Sequence, residues 1–239
     1  MNDPTVLEHG RAVRSMFGRI AQPYDFLNRF FSGGIDLYWR WCLVRQAINS
    51  LQETSAPCGM VLDLATGSGA VARMLEKRSI KVLASDFCLP MLTQAQAKGV
   101  NTLVAGDALA LPFVSHTFAA ATVAFGLRNF GDRLAAMREI LRTLKPGASL
   151  HILEFTRPQD WCCGFYFFYL KYIMPRLASV LCRDGEAYSY LARTVEAFPR
   201  AEEIGLQLEK AGYANVTWKC LTLGMVALHS GTKPQAYLK

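Results

Sequence analysis

Residues 61–69 read V-L-D-L-A-T-G-S-G, an apolar run that passes straight into a glycine-rich turn. Glycine at 67 and 69 lets the backbone turn tightly and lie against a ligand that a side chain would exclude. The next apolar run, V-L-A-S-D, ends in Asp86, at the spacing of roughly twenty residues where a carboxylate can accept both hydroxyls of a ribose. Together these describe an adenosine site at the carboxyl ends of parallel strands. Gly67, Gly69 and Ala72 also satisfy the looser G-x-G-x-x-G/A pattern of NAD enzymes, so the glycines alone leave two chemistries open. Asp63 separates them. Inside the strand and ahead of the first glycine, its carboxylate can orient the loop or neutralise the α-amino group of a methionine moiety, whereas a pyrophosphate gains nothing from negative charge there.

The order D-x-A-x-G-x-G followed by Asp86 resembles the cofactor loop of class I S-adenosylmethionine methyltransferases. Gly106-Asp107-Ala108 follows the third apolar run, where such enzymes place an acid that accepts from the adenine amino group while the next N–H meets the ring. Alone, Asp107 would read as a turn or capping residue. Longer motifs carry a closer likeness: F-G-L-R-N-F at 125–130, L-K-P-G at 144–147, I-L-E-F at 152–155 and G-M-V-A-L-H-S-G at 224–231. With Phe17-x-x-Ile20-Ala21, Tyr24-Asp25-x-x-Asn28 and Trp39-Arg40 near the start, residues 13–234 closely resemble the family that C-methylates the quinol ring in menaquinone and ubiquinone biosynthesis. The resemblance implies S-adenosylmethionine as methyl donor, S-adenosylhomocysteine as product, and cofactor contacts from Ser68, Asp86, Asp107, Ala108 and Ala124. The family usually carries Thr at the Ser68 position, often Ser at that of Ala124, an acid at that of Ala70, and commonly an Asp where Ala119-Ala120 stand here.

A sulfonium methyl group already has a good leaving group, so the protein must mainly align donor and acceptor in a dry site and make a ring carbon nucleophilic. That requires no metal. A quinol carbon becomes nucleophilic when the neighbouring hydroxyl loses its proton. Arg128 and Asn129 are the candidates: Arg128 is a poor direct base, but its charge can lower the phenol's pKa or hold a relaying water, and Asn129 can fix a quinol oxygen. Their bland alternatives are an ion pair with a nearby carboxylate and a cap on the helix starting near Asp132. Tyr24 and Asp25 belong to a segment that can fold over the substrate and complete a proton relay; a packing tyrosine and a capping aspartate are the alternatives. None of His9, His116, His151 and His229 has metal-ligand spacing to another.

These residues need a scaffold. Apolar positions 13, 16, 17, 20 and then 37, 41, 44, 48 recur at helical spacing, with a break at Ser32-Gly33-Gly34. From residue 60 short apolar runs (60–65, 81–85, 102–105, 117–125, 149–155) alternate with amphipathic stretches, which predicts a parallel sheet covered on both faces. A helix over 133–144 ends at Lys145-Pro146-Gly147, another over 202–211 ends at Gly212, and 216–223 with 226–229 read as closing strands. The expected fold is α/β: a doubly wound, mostly parallel, seven-stranded Rossmann-like sheet with an antiparallel edge hairpin and an N-terminal helical cap. One methyltransferase domain spans 1–239: cap 1–56, cofactor-binding core 57–157, apolar lid or substrate insertion 158–198, and closing helix and strands 199–239.

Composition limits the rest. At 239 residues and 51% hydrophobic the chain holds a real core, and a formal charge of +7 suits an anionic membrane surface better than nucleic acid. Its odd count of 7 cysteines has no CxxC pair, which argues against a disulfide scaffold or zinc ribbon. The first 15 residues have no apolar centre, so the expectation is a cytoplasmic protein. Residues 161–182 are too often interrupted by Lys171, Pro175 and Arg176 to span a bilayer. They read as a buried helical hairpin, as an apolar lid touching lipid or a greasy ligand, or as both. Phe165, Phe167, Phe168, Tyr169 and Tyr172 suit an isoprenoid-tail channel, with Lys171 and Arg176 near headgroups, giving peripheral membrane contact. The expected partner is a prenylated quinol, demethylmenaquinol or the benzoquinol precursor of ubiquinone; a homodimer stays open and nucleic acid is not expected. The alternatives are a methyltransferase for another phenolic small molecule, an NAD-dependent reductase, and a non-catalytic cofactor-binding subunit.

Overall fold

The apolar runs from residue 61 onward assemble into one 7-stranded sheet in the order β3-β2-β1-β4-β5-β7-β6. This is seen in a computed structural model that describes residues 4–22, 24–53, 59–158, 160–182 and 185–235. β1 (Val61–Leu64), β2 (Val82–Asp86), β3 (Leu103–Ala105), β4 (Phe118–Ala124) and β5 (Leu144–Phe155) pair in parallel. β7 (Val226–Thr232) runs antiparallel to both β5 and the edge strand β6 (Ala214–Leu221). β1 and β4 lie side by side at the centre, Asp63 level with Thr122. Chain direction across the sheet reverses between them, which opens a crevice beyond their carboxyl ends.

Both sheet faces are covered, which is why β1 is buried throughout and is apolar at every position but Asp63. On one face α6 (Arg133–Thr143) and α10 (Ala201–Ala211) bury Met137, Ile140, Ile204 and Leu208 against Leu62, Val123 and Ile152. The other face takes α3 (Asp36–Glu53), α4 (Ala70–Glu76) and α5 (Leu89–Ala97), with Leu43, Val44, Leu75 and Ala95 against Val61, Val82 and Ala120. A third apolar cluster joins α1 (Pro4–Ile20) and α2 (Tyr24–Phe31) to α7 (Asp160–Phe168), α8 (Met174–Cys182) and α9 (Gly185–Glu196) through Met16, Leu27, Tyr166, Leu170, Met174 and Tyr188. The cap and the apolar insertion therefore pack on each other above the sheet edge that carries the crevice.

Two local expectations change. Lys145-Pro146-Gly147 does not form a free turn: β5 begins at Leu144, opposite Phe118, and the register shifts before Ser149 as an irregularity in the strand. Residues 161–182 do not fold back as a hairpin. α7 passes through a π-helical turn, Tyr169–Ile173, directly into α8. Pro175 has no N–H for the carbonyl four residues earlier, and the widened turn just before it absorbs that loss; the partner of α8 is α9 instead. Among the thiols, Cys88 and Cys163 are buried while Cys220 is exposed.

Candidate active site

Beyond β1 the backbone takes left-handed conformations at Ala65, Gly67 and Gly69. Gly69 has a packing reason besides: a Cβ there would stand 2.5 Å from Val100 Cγ2, so glycine lets α4 close against α5 and its following loop. After β4, Gly126 presses on the same turn, since its Cβ would lie 2.6 Å from that of Ala65. The two loops at the switch point thus pack closely, the Gly126 backbone against the Ala65 methyl group, with a cavity of about 280 Å³ beside them. Its wall brings together Gly67, Asp86, Asp107, Ala108, Ala124 and Asn129 among the expected site residues.

Asp86 ties two turns together. One carboxylate oxygen accepts the N–H of Gly67 at 2.8 Å and the other that of Cys88 at 2.9 Å. Burial pushes its pKa up from the ordinary carboxylate value, opposed by those N–H groups, the N–H of Phe87, and the charge of Arg14. Asp107 accepts the N–H of Leu109 at 2.9 Å, so it makes its own turn while facing the cavity. Asp63 and Ser68 lie on a small adjoining pocket, not the main wall. Both Asp63 oxygens are engaged, one by Thr122 at 2.7 Å, the other by Thr66 at 2.6 Å and the Ala72 N–H at 3.1 Å. Of the two roles open to Asp63 in the sequence, loop orientation is the one its bonds make; burial raises its pKa to about 6. Ser68 donates its hydroxyl to Asp25, and Lys98 reaches the other Asp25 oxygen at 2.7 Å. Partial burial works against ionisation of Asp25, but the bonds from Lys98 and Ser68 outweigh it and hold its carboxyl below the usual range.

A second cavity, about 70 Å³, shares Phe17 and Phe125 with the first and reaches Arg128, Asp36, Arg40 and Tyr190. Phe125 sits at φ 58°, a sparsely populated conformation for a bulky residue, in the wall that the two spaces share. Arg128 pairs with Glu154 at 2.7 Å, both side chains buried, and also reaches the Phe125 carbonyl. The ion-pair alternative for Arg128 is therefore present in the structure, and the residue still faces the second cavity. Asn129 does not cap α6; Asp132 does, accepting from the Ala135 N–H at 2.9 Å, while Asn129 Oδ1 accepts the Tyr190 hydroxyl at 3.2 Å. Tyr24 opens α2, and its side chain lies outside the described residues. Ala119 and Ala120 are buried in β4, away from its carboxyl end, so their departure from the family pattern concerns packing; Ala124 does line the main cavity.

Sequence reasoning missed the roof. Arg11, Arg14 and Phe17 of α1 line the main cavity, and Arg14 stands over the Phe87 ring at 5.3 Å. Helical periodicity identified the apolar face of α1, but nothing in a sequence places Arg14 against a strand end far along the chain. Asp36 and Arg40 were missed as well. Among the described residues no group of three or more His, Cys, Asp or Glu is placed to hold a metal ion.

Two carboxylates, a glycine turn and apolar walls from Phe87, Met91 and Phe130 fit a ribonucleoside with an amino-acid tail. A demethylmenaquinone methyltransferase of Corynebacterium kroppenstedtii is 40% identical over 232 residues, 97% of this chain and 98% of the relative. One from Thermus thermophilus is 40% identical over 227 residues, 92% and 100% of the two chains. The solved SAM-dependent methyltransferase of Thermotoga maritima shares the fold at TM-score 0.62 and 19% identity, covering 91% of this chain and 99% of its own. The model of the ubiE/COQ5 methyltransferase family matches residues 5–233, and the chain belongs to that family.

Proposed function

We propose that this S-adenosylmethionine-dependent methyltransferase methylates a ring carbon of a prenylated quinol, demethylmenaquinol in the first place and the benzoquinol of ubiquinone biosynthesis as the neighbouring substrate. Two neighbouring cavities that share Phe17 and Phe125 as wall carry the reading, one with the acids of a nucleoside site, the other aromatic with charged groups in its wall. The matched relatives are named for demethylmenaquinone, which supports the same choice.

The bound donor would supply an electrophilic methyl group on a positively charged sulfur. Asp86 would take the ribose hydroxyls, Asp107 and Ala108 the adenine, and the Gly67–Gly69 turn, held in shape by Asp63, the amino-acid end. Ser68 and Asp25 would fix that turn to the cap. Arg128, permanently charged, would favour the ionised form of the quinol hydroxyl, and Asn129, braced by Tyr190, would hold its oxygen. Phe17 and Phe125, in the wall of both cavities, would help to keep water from the reacting atoms.

The isoprenoid tail and membrane contact belong to α7 and α8. Trp161, Phe165, Phe168 and Tyr172 form an exposed apolar face, Trp161 and Phe165 being 74% and 77% exposed, while Tyr166, Leu170 and Met174 bury the opposite side. No described helix is long and apolar enough to cross a membrane. The face would lie on an anionic bilayer, with Lys171 and Arg176 at its headgroups. Incubation with S-adenosylmethionine and a chemically reduced demethylmenaquinone tests the activity: gain of one methyl on the ring supports it, and an unmodified quinol sinks it. Sedimentation with anionic vesicles at low salt tests the surface.

A further inference from the structure

Resting on the quinol reading above, we propose that the second cavity receives the hydroxyl-bearing edge of the acceptor ring and that Asp36 is the base that takes its proton. At about 70 Å³ the space is smaller than the roughly 150 Å³ that takes a whole benzene ring, so an edge of the acceptor, not the entire ring, enters it.

Asp36 opens α3 and is only 6% exposed. One of its oxygens accepts the Ser32 hydroxyl at 3.1 Å and the other is paired with Arg40 one turn along. Each oxygen retains a lone pair, and the residue faces the cavity. It is the one acid among the residues lining that space. Glu154, bound to Arg128 and the N–H groups of Arg128 and Phe155, and Asp25, bound to Lys98 and Ser68, do not line the cavity. Arg128, on the same cavity wall, leaves Nε buried without a hydrogen-bond partner. A buried carboxylate and a guanidinium lining one aromatic space fit a ring that carries both a hydroxyl and a second oxygen. The remaining charged and titratable groups facing Asp36 are Arg40 on its own helix and Tyr188 and Tyr190 on α9.

The acceptor hydroxyl gives its proton to Asp36 as the adjacent ring carbon forms a bond to the methyl carbon. The bond from that carbon to sulfur breaks and its electron pair stays on sulfur, leaving a neutral thioether. The ring carbon then loses its hydrogen to solvent as a proton, Asp36 returns the first proton to the oxygen, and the ring is aromatic again. One proton is released overall.

Asp36→Asn tests this in the full chain with reduced demethylmenaquinone. The expected result is a kcat lower by about 100-fold or more with unchanged affinity for S-adenosylhomocysteine. The residual rate should climb with pH as the quinol ionises unaided, and a halogenated quinol already ionised at the assay pH should recover most of the loss. A kcat equal to wild type, or an equal loss with both acceptors, overturns the assignment. Should Asp36→Asn fail to fold, Ser32→Ala decides: a several-fold lower kcat, recovered with the ionised acceptor, supports the base, and an unchanged kcat refutes it. A wild-type enzyme that methylates no quinol sinks the parent reading and this one with it, whereas active wild type with active Asp36→Asn sinks this one alone.

Discussion

Ser68, in the turn after β1, donates its hydroxyl to Asp25, a residue 43 positions earlier on the cap helix α2. Lys98, at the end of α5, holds the other oxygen of the same carboxylate. The cap is thereby fastened to the loop that would carry the amino-acid end of the donor, so cap closure and cofactor binding share one contact.

That sharing has a measurable form. Ser68→Ala and Asp25→Ala should each weaken S-adenosylhomocysteine binding by about 3- to 10-fold, and the double variant should be no worse than the poorer single one, because both remove the same bond. Calorimetric titration of the four proteins closes the cycle. Strictly additive losses would mean that the two residues act separately.

Arg128 needs a variant that separates its two roles. Removing one partner of a buried ion pair costs about 3–5 kcal/mol, so Arg128→Ala should lose fold stability along with turnover. Arg128→Lys keeps the charge but not the planar fork that serves Glu154 and the Phe125 carbonyl together. Its turnover should drop by about 10-fold or more while S-adenosylhomocysteine affinity holds. Full turnover in Arg128→Lys would confine the residue to its ion pair.

The sheet and the nucleoside end of the site were legible in the sequence because both depend on local pattern. A run such as 61–69 carries its strand, its turn and its acid within one segment, and parallel pairing then has little freedom left. What escaped were contacts made by elements distant in sequence. Arg14 and Asp36 look like ordinary members of polar helix faces until α1 and α3 are laid across the crevice. The insertion at 161–182 failed differently: Pro175 signals a break, but a π-helical turn can absorb a missing N–H without reversing the chain, and periodicity does not distinguish the two outcomes.

His151 bears on stability. It is fully buried in β5, with Ser50 at 2.9 Å from one ring nitrogen and Ser230 at 2.8 Å from the other, and burial lowers its pKa to about 4. Unfolded, the same ring titrates near the ordinary 6.5. The unfolded chain therefore binds the extra proton first, and stability present above pH 6.5 should be lost as pH falls toward 4, by up to about 3 kcal/mol. Urea midpoints for wild type should fall over that interval, and those of His151→Gln should fall less. Parallel curves for the two proteins would remove His151 as the cause.

Asp63 links acidity to the donor. With its carboxyl raised to about 6 by burial, a good part of the empty protein carries it protonated in mildly acidic solution. A ligand bringing a sulfonium and an ammonium group to the adjoining turn favours the ionised form, so binding should expel a proton there. Affinity for S-adenosylmethionine should accordingly rise with pH through about 6 and level off above it. Calorimetry in two buffers of different ionisation enthalpy would count the proton directly, with release at the acidic end and none near neutrality. Asp63→Asn, which keeps an acceptor oxygen for Thr122 or Thr66 but cannot ionise, should bind more weakly and with a flat profile. A wild-type affinity independent of pH across this range would mean that the donor's charge lies too far from Asp63 to feel it, leaving the residue as a support for the loop alone.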